Sequence, residues 1–244
     1  MTTTLDAPTI EAPTRPSIQT NQLRKNYGKV QALDGVDLTL GHGQLVGLMG
    51  PNGCGKTTLL KILAGVLLSY AGNAEIAGHR PGPESKANVS FLPDTDFLPR
   101  SWTIEKSINF FEQMFIDFNA TKARSMIQDF ELQPAMKFSE MSKGMGEKAQ
   151  LALAMSRRAE VYLMDEPISG VDPAARDVLL DGIVRNLEPG SLVMISTHLV
   201  HDLEPVLDTA IFMHHGRILK QGNVDDLRAE HGKSLDDLTR EIYR

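Results

Sequence analysis

The run GPNGCGKTT, residues 50–58, constrains this chain more than any other stretch. Gly50, Gly55, Lys56 and Thr57 stand at the G-x-x-x-x-G-K-[ST] spacing of a phosphate-wrapping loop. Glycines let the backbone close on phosphate because no Cβ blocks the approach. The apolar run QLVGLMG precedes the loop and KTTLLKILAGVL follows it, with Leu59, Leu60, Leu63 and Val66 at helical spacing. A buried strand should therefore feed a loop that opens a helix, whose free N–H groups and dipole favour an anion. The whole run, including Pro51, Asn52, Gly53 and Cys54, is the expected cradle. Lys56 should reach the outer phosphates, Thr57 hold a divalent cation and Thr58 bond another phosphate oxygen. Cys54 reads as a small loop filler rather than a redox switch.

Around this loop the 244 residues suit one large α/β domain carrying a small inserted part. Residues 1–17 are rich in Thr and Pro and read as a disordered tail. IQTNQLRKNYG and KVQALDGVDLTLGHG read as two strands broken at Gly28, with Val36, Leu38 and Leu40 on one face. GNAEIAGHRPG, VSFLPD, VYLMDE, GSLVMISTH and AIFMHHGRILKQG supply further strands. Residues 100–140 concentrate aromatics at helical spacing and read as an inserted helical subdomain. MSKGMGEKAQLALAMSRRA reads as a helix entered through a glycine-containing turn, and DPAARDVLLDGIVRNL as another. Residues 231–244 read as a C-terminal helix, with Ser234 and Asp237 spaced like a capping box and Leu235, Leu238 and Ile242 on one side. Strand–helix alternation predicts a largely parallel sheet covered by helices, joined to an antiparallel N-terminal part.

Composition removes several alternatives. No run approaches the roughly 20 apolar residues needed to span a bilayer. The first residues lack the basic and apolar regions of a secretory signal. Cys54 is the single cysteine, so no intrachain disulfide framework is available and a reducing cytosol is the expected setting. A formal charge of −6 argues against a nucleic-acid backbone as partner.

VYLMDEP places Asp165 and Glu166 after an apolar strand. Successive strand residues point to opposite faces, so two adjacent acids need different tasks. Asp165 suits a Mg²⁺ ion beside the phosphate loop. Glu166, where the chain turns, suits polarising an attacking water.

Together these segments resemble the nucleotide-binding domain of ATP-binding cassette (ABC) transporters, over about residues 18–230 and in the family's order. The resemblance implies a P-loop NTPase that binds ATP with Mg²⁺ and hydrolyses it. NYGKVQALDGVDL resembles the family's entry segment, which implies that Tyr27 stacks on adenine. FLPDTDF falls at the Q-loop, where Asp94 replaces the usual Gln and stands as a further candidate for the metal. MSKGM falls at the LSGGQ signature: Ser142 and Gly144 match, while Lys143 and Met145 depart from it. In the family this helix start faces the phosphates of the opposite subunit. SGVDP resembles the D-loop, with Asp172 in the matching position, and STHLV carries His198, which resembles the switch histidine at the γ-phosphate.

The resemblance also implies partners. Two cassettes, identical or different, would sandwich two ATP molecules and drive a separate transmembrane permease. The chain would sit in the cytoplasm, peripheral on the inner face of the membrane. Its C-terminal and signature segments resemble bacterial exporters of peptides, antibiotics or lipids. Two other readings stand beside this one: a soluble ABC protein of translation or DNA repair, disfavoured by the single cassette, and a nucleotide-dependent switch that regulates a partner without transport.

Overall fold

The computed structural model describes residues 15–243. The expected tail lies outside the described residues as far as position 14. Ser17 is already buried, its hydroxyl 2.8 Å from His42 Nδ1.

The chain runs β1 (Ile18–Tyr27), β2 (Val30–Leu40), β3 (Leu45–Met49), α1 (Lys56–Leu63), β4 (Ala71–Ile76) and β5 (Val89–Leu92). Three helices follow: α2 (Ile104–Met114), α3 (Ala120–Asp129) and α4 (Lys143–Met155). Then come β6 (Val161–Asp165), α5 (Pro173–Arg185), β7 (Leu192–Thr197) and the short α6 (Val200–Leu203). The chain closes with β8 (Thr209–His214), β9 (Arg217–Asn223), α7 (Val224–His231) and α8 (Leu235–Ile242).

Two sheets form. Strands β2, β1 and β4 make an antiparallel sheet in that order. Strands β5, β6, β7, β3 and β8 lie parallel in that order, and β9 adds an antiparallel edge. The near-continuous apolar sequences of β3, β6 and β7 reflect burial on both faces. In β2, by contrast, Val36, Leu38 and Leu40 point inward while Asp37 and Thr39 stay exposed.

The core has two parts, divided by the parallel sheet. On one side Leu59, Leu60 and Leu63 of α1 join Ile18 and Leu33 of the antiparallel sheet and Met194 of β7. On the other side Met49, Met164 and Ile195 pack with Ile104, Ile127 and Leu151 from the helices. Val66 does not continue the α1 stripe: the helix ends at Leu63, Gly65 takes φ 65° and Val66 is 59% exposed. A left-handed glycine terminates the helix before the apolar period reaches Val66.

The inserted helices are capped as their sequences dictate. Thr103 accepts from the Lys106 N–H at 3.1 Å, and Asn119 from the Lys122 N–H at 2.9 Å. Phe111, Phe115 and Phe118 pack on the core, whereas Phe110 is 40% exposed. Arg157, just after α4, ties this part to the sheet. It meets both oxygens of Asp117 at 2.8 and 3.0 Å and donates to the carbonyls of Lys86, Ala87 and Val89. Its guanidinium lies 4.1 Å from the Phe115 ring centroid. A buried arginine needs all of these partners, because an unpaired one would cost several kcal/mol.

At the other end of the chain, α7 is a helix that periodicity alone did not single out. Asn223 caps its start and Gly232, at φ 61°, ends it. The C-terminal α8 starts at the expected cap, Ser234 accepting from the Asp237 N–H at 3.2 Å. Leu235 and Leu238 are buried beneath it.

Candidate functional site

Sheet register gathers the site. Parallel pairing sets Met49 opposite Thr197 and Asp165 opposite Ser196. The loop after β3, the two acids at the end of β6 and His198 after β7 therefore emerge at the carboxyl ends of three adjacent strands. In open α/β sheets that edge is where ligands bind.

The loop from Gly50 to Thr58 needs its glycines at two points. A Cβ on Gly55, which has φ 113°, would stand 2.4 Å from the Ala32 carbonyl oxygen. One on Gly50 would stand 2.3 Å from the Met213 carbonyl oxygen and 2.6 Å from Cys54 Sγ. No other residue fits either place without moving backbone. Cys54 is 3% exposed, and burial pushes its thiol up, against the pull of Lys56. A buried thiol held protonated fills the loop's underside and is a poor nucleophile.

Beside the loop lies a cavity of about 510 Å³. Tyr27, Lys56, Thr57, Asp94, Glu166 and His198 line it, with Asn52, Gly53, Gly55 and Thr58 along the loop side. Tyr27 is 49% exposed at its rim. Lys56 is buried, and its ammonium donates to the Gly50 carbonyl at 2.7 Å and the Pro51 carbonyl at 3.4 Å. It also stands 3.5 Å from Glu166 Oε1.

Glu166 is held by an uncommon backbone, φ 51° in a non-glycine residue, which costs on the order of 1 kcal/mol. Its N–H donates to the carbonyl and the hydroxyl oxygens of Ser196, at 3.1 and 3.0 Å. Its Oε2 meets His198 Nδ1 at 2.8 Å. The strained turn aims the carboxylate into the cavity while Asp165, one residue earlier, stays in the sheet.

Asp165 is fully buried, and its Oδ1 accepts from the Ser196 hydroxyl at 2.6 Å. Its Oδ2 is buried without a hydrogen-bond partner. Burial pushes this carboxyl up; Ser196 and Thr57 pull it down, and Asp94 and Glu166 add to the rise. An orphaned carboxylate oxygen next to a threonine hydroxyl is a hard-oxygen donor set suited to Mg²⁺. Among the described residues no group of three or more His, Cys, Asp or Glu is placed to hold an ion. Mg²⁺ sites of the phosphate-binding kind take only one or two carboxylates and complete their shell with water and phosphate.

Of the signature residues, Ser142 and Gly144 do not line this cavity. Ser142 caps α4, accepting from the Met145 N–H at 3.3 Å, and lines a separate cleft with Asp96, Arg100 and Gly146. Gly144 abuts Val171, where a Cβ would come within 3.2 Å of the valine side chain. Asp172 caps α5 through the Ala175 N–H at 3.1 Å. Lys143, between Ser142 and Gly144, does reach the phosphate-loop cavity.

Two polar residues escaped the sequence reading. Ser196 orients both acids, and only its place beside His198 in STH hinted at it. Glu147, one turn beyond Lys143, lines the same cavity. Its Oε2 is buried without a partner, and Lys143 Nζ lies 3.7 Å from its Oε1. Burial pushes its carboxyl up to about 7; Lys143 opposes the rise and Asp96 adds to it. A carboxyl raised in the folded state destabilises the fold as pH climbs from its ordinary value through the raised one. Glu147→Gln is therefore expected to raise Tm at pH 8 relative to the parent, with the gain shrinking toward pH 5. Paired thermal melts check this, and a gain that stays flat with pH contradicts it.

A loop, a buried acid and a turning acid at one sheet edge define a P-loop nucleotide-hydrolysing cassette. A model of the ABC transporter family matches residues 33–169, more than half of the chain, and the chain belongs to that family. It is an ATP-hydrolysing ABC cassette. It is 30% identical over 220 residues to a Nod factor export ATP-binding protein I of Ralstonia nicotianae, covering 87% of this chain and 68% of that protein. It is 29% identical over 225 residues to a daunorubicin resistance ATP-binding protein of Streptomyces coeruleorubidus, covering 88% of this chain and 71% of that one. A solved structure of the ATP-binding subunit of an ABC transporter superposes with a TM-score of 0.83 at 27% identity, over 93% of this chain and 99% of that one. A dimeric ABC cassette in a post-hydrolysis state with ADP and Pi shares the fold, with a TM-score of 0.75 at 18% identity over 84% of this chain and 98% of that one.

Proposed function

We propose that this cassette powers an exporter: a head-to-tail pair of cassettes closes on ATP and opens after hydrolysis, and a separate transmembrane permease turns that motion into transport. The observation that carries the hydrolytic half is the meeting of Lys56, Glu166 and His198 on one cavity. The direction of transport rests on relatives whose own names specify export and drug resistance.

In this reading Gly50–Thr58 wraps the phosphates and Tyr27 stacks on the base. Lys56 exchanges its loop carbonyls for phosphate oxygens, a charge-assisted contact of greater strength. Thr57 and Asp165, with Asp94 nearby, would hold Mg²⁺, which would neutralise developing charge on the phosphates. Glu166 orients the attacking water and accepts its proton, and His198 fixes the carboxylate through Oε2. Ser142 and Gly144 lie away from their own chain's loop, which suits a role at the loop of a second cassette. ATP favours the closed pair because its terminal phosphate touches both faces, and loss of that bridge releases them.

Among the described residues no helix is long and apolar enough to cross a membrane, and the permease of this reading is a separate chain. The cassette would then lie against the cytoplasmic side of its permease. Purification from native membranes in gentle detergent, followed by mass spectrometry, tests the assembly. A stoichiometric polytopic membrane protein is expected. Recovery of ribosomes, DNA or soluble proteins alone would overturn the transport reading.

A further inference from the structure

The chain's last described residue reaches the root of the phosphate loop. Tyr243 Oη donates to the Met49 carbonyl at 3.0 Å, across 194 positions of sequence. Met49 ends β3, and the next carbonyl, that of Gly50, is the one Lys56 Nζ holds at 2.7 Å. Two consecutive peptide oxygens are thus fixed, one by the C-terminal tyrosine and one by the phosphate-binding lysine. On the far side of the loop the Gly216 N–H donates to the Cys54 carbonyl at 2.9 Å.

Tyr243 is well seated for this task. Its ring lies 5.6 Å from that of His214 at the end of β8. Helix α8 brings it there by burying Leu235 and Leu238, with Ile242 packed against the same core. Burial holds the phenol protonated well beyond its ordinary range, the nearby Cys54 adding to this and the Met213 backbone opposing it.

We infer that Tyr243 is a positioning residue for nucleotide binding: the C-terminal helix is a latch that pre-sets the Met49–Gly50 peptide, and with it the carbonyl that parks Lys56. The physical basis is preorganisation. A loop already held in its binding geometry loses less freedom when phosphate arrives. The latch also gives the C-terminal segment leverage on the site, because whatever loosens α8 loosens the loop's root. This inference rests on residues 50–58 being the phosphate loop.

The test measures ADP affinity by calorimetry and ATPase kinetics in the full chain for Tyr243→Phe, with Lys56→Ala in parallel. Loss of one hydrogen bond that orders the loop is expected to weaken ADP and raise KM for ATP about fivefold, with kcat within about twofold. Hydrogen exchange at the amides of residues 50–56 should quicken in the nucleotide-free variant. Unchanged ADP affinity overturns the latch, and so does a lower Tm accompanied by unchanged affinity, the mark of a merely structural tyrosine. If the Phe variant folds poorly, His214→Ala keeps the phenol but removes the ring that seats it, which frees the hydroxyl to leave the Met49 carbonyl. That variant too should bind ADP less tightly, and an unaltered affinity sinks the proposal. If Lys56→Ala still binds ADP normally, the loop assignment itself has failed; if it does not while Tyr243→Phe does, the latch alone has.

Discussion

Glu166→Gln is expected to bind ATP with near-parental affinity and to lose turnover by about 100-fold or more, the scale of a general base in a proton-transfer step. The reasoning starts from geometry. Glu166 leaves the strand in a left-handed turn, its N–H pinned by Ser196 and its Oε2 by His198 Nδ1 at 2.8 Å. The amide keeps the size and most of the hydrogen bonding of the carboxylate but cannot take a proton. Phosphate binding, which the loop supplies, should survive. ATP would then persist between two cassettes, and the closed pair should accumulate. Size-exclusion chromatography with light scattering in ATP and Mg²⁺ reads that accumulation, while single-turnover phosphate release reads the chemistry. Turnover within a few-fold of the parent would remove Glu166 from the role.

Lys56→Ala is expected to fail one step earlier. The lysine is buried, and its charge is balanced by the Gly50 and Pro51 carbonyls and by Glu166. Its removal costs the loop one charge-assisted contact to phosphate, worth about 2 kcal/mol, so ATP affinity should drop about 30-fold. It also removes the ammonium that stands 3.5 Å from Glu166 Oε1, and the carboxylate left without it repels an incoming polyanion. The two substitutions therefore separate: one binds without turning over, the other binds weakly. Equal ATP affinity in Lys56→Ala and the parent, measured by fluorescent-nucleotide displacement, would contradict the loop assignment.

Local chemistry made much of this legible. Gly50 and Gly55 announced a loop that only glycine can form, and the close carbonyls of Met213 and Ala32 are the reason. The period-2 face of Val36, Leu38 and Leu40 and the cap at Ser234 were equally readable, because each depends on neighbours a few residues away. Val66 was misjudged because an apolar period carries no knowledge of the left-handed turn at Gly65 that interrupts it. Helix α7 was missed because only Val224 and Leu227 of its eight residues are buried, too few to write a period.

The sequence by itself determined the local pattern of the loop, its glycines, lysine and hydroxyl at fixed spacing. Phosphate chemistry demands a glycine loop, a lysine and a hydroxyl at fixed spacing, and a short segment can meet that demand alone. Tertiary structure decided what those groups touch. Parallel pairing of β3, β7 and β6 put Ser196 between Asp165 and Glu166 and brought His198 to the latter. Packing of α4 brought Lys143 and Glu147 to the cavity, and packing of α8 carried Tyr243 to the loop's root. Parallel strands and terminal helices meet across long stretches of chain, and their register is set by the burial of whole faces, which no local spacing records.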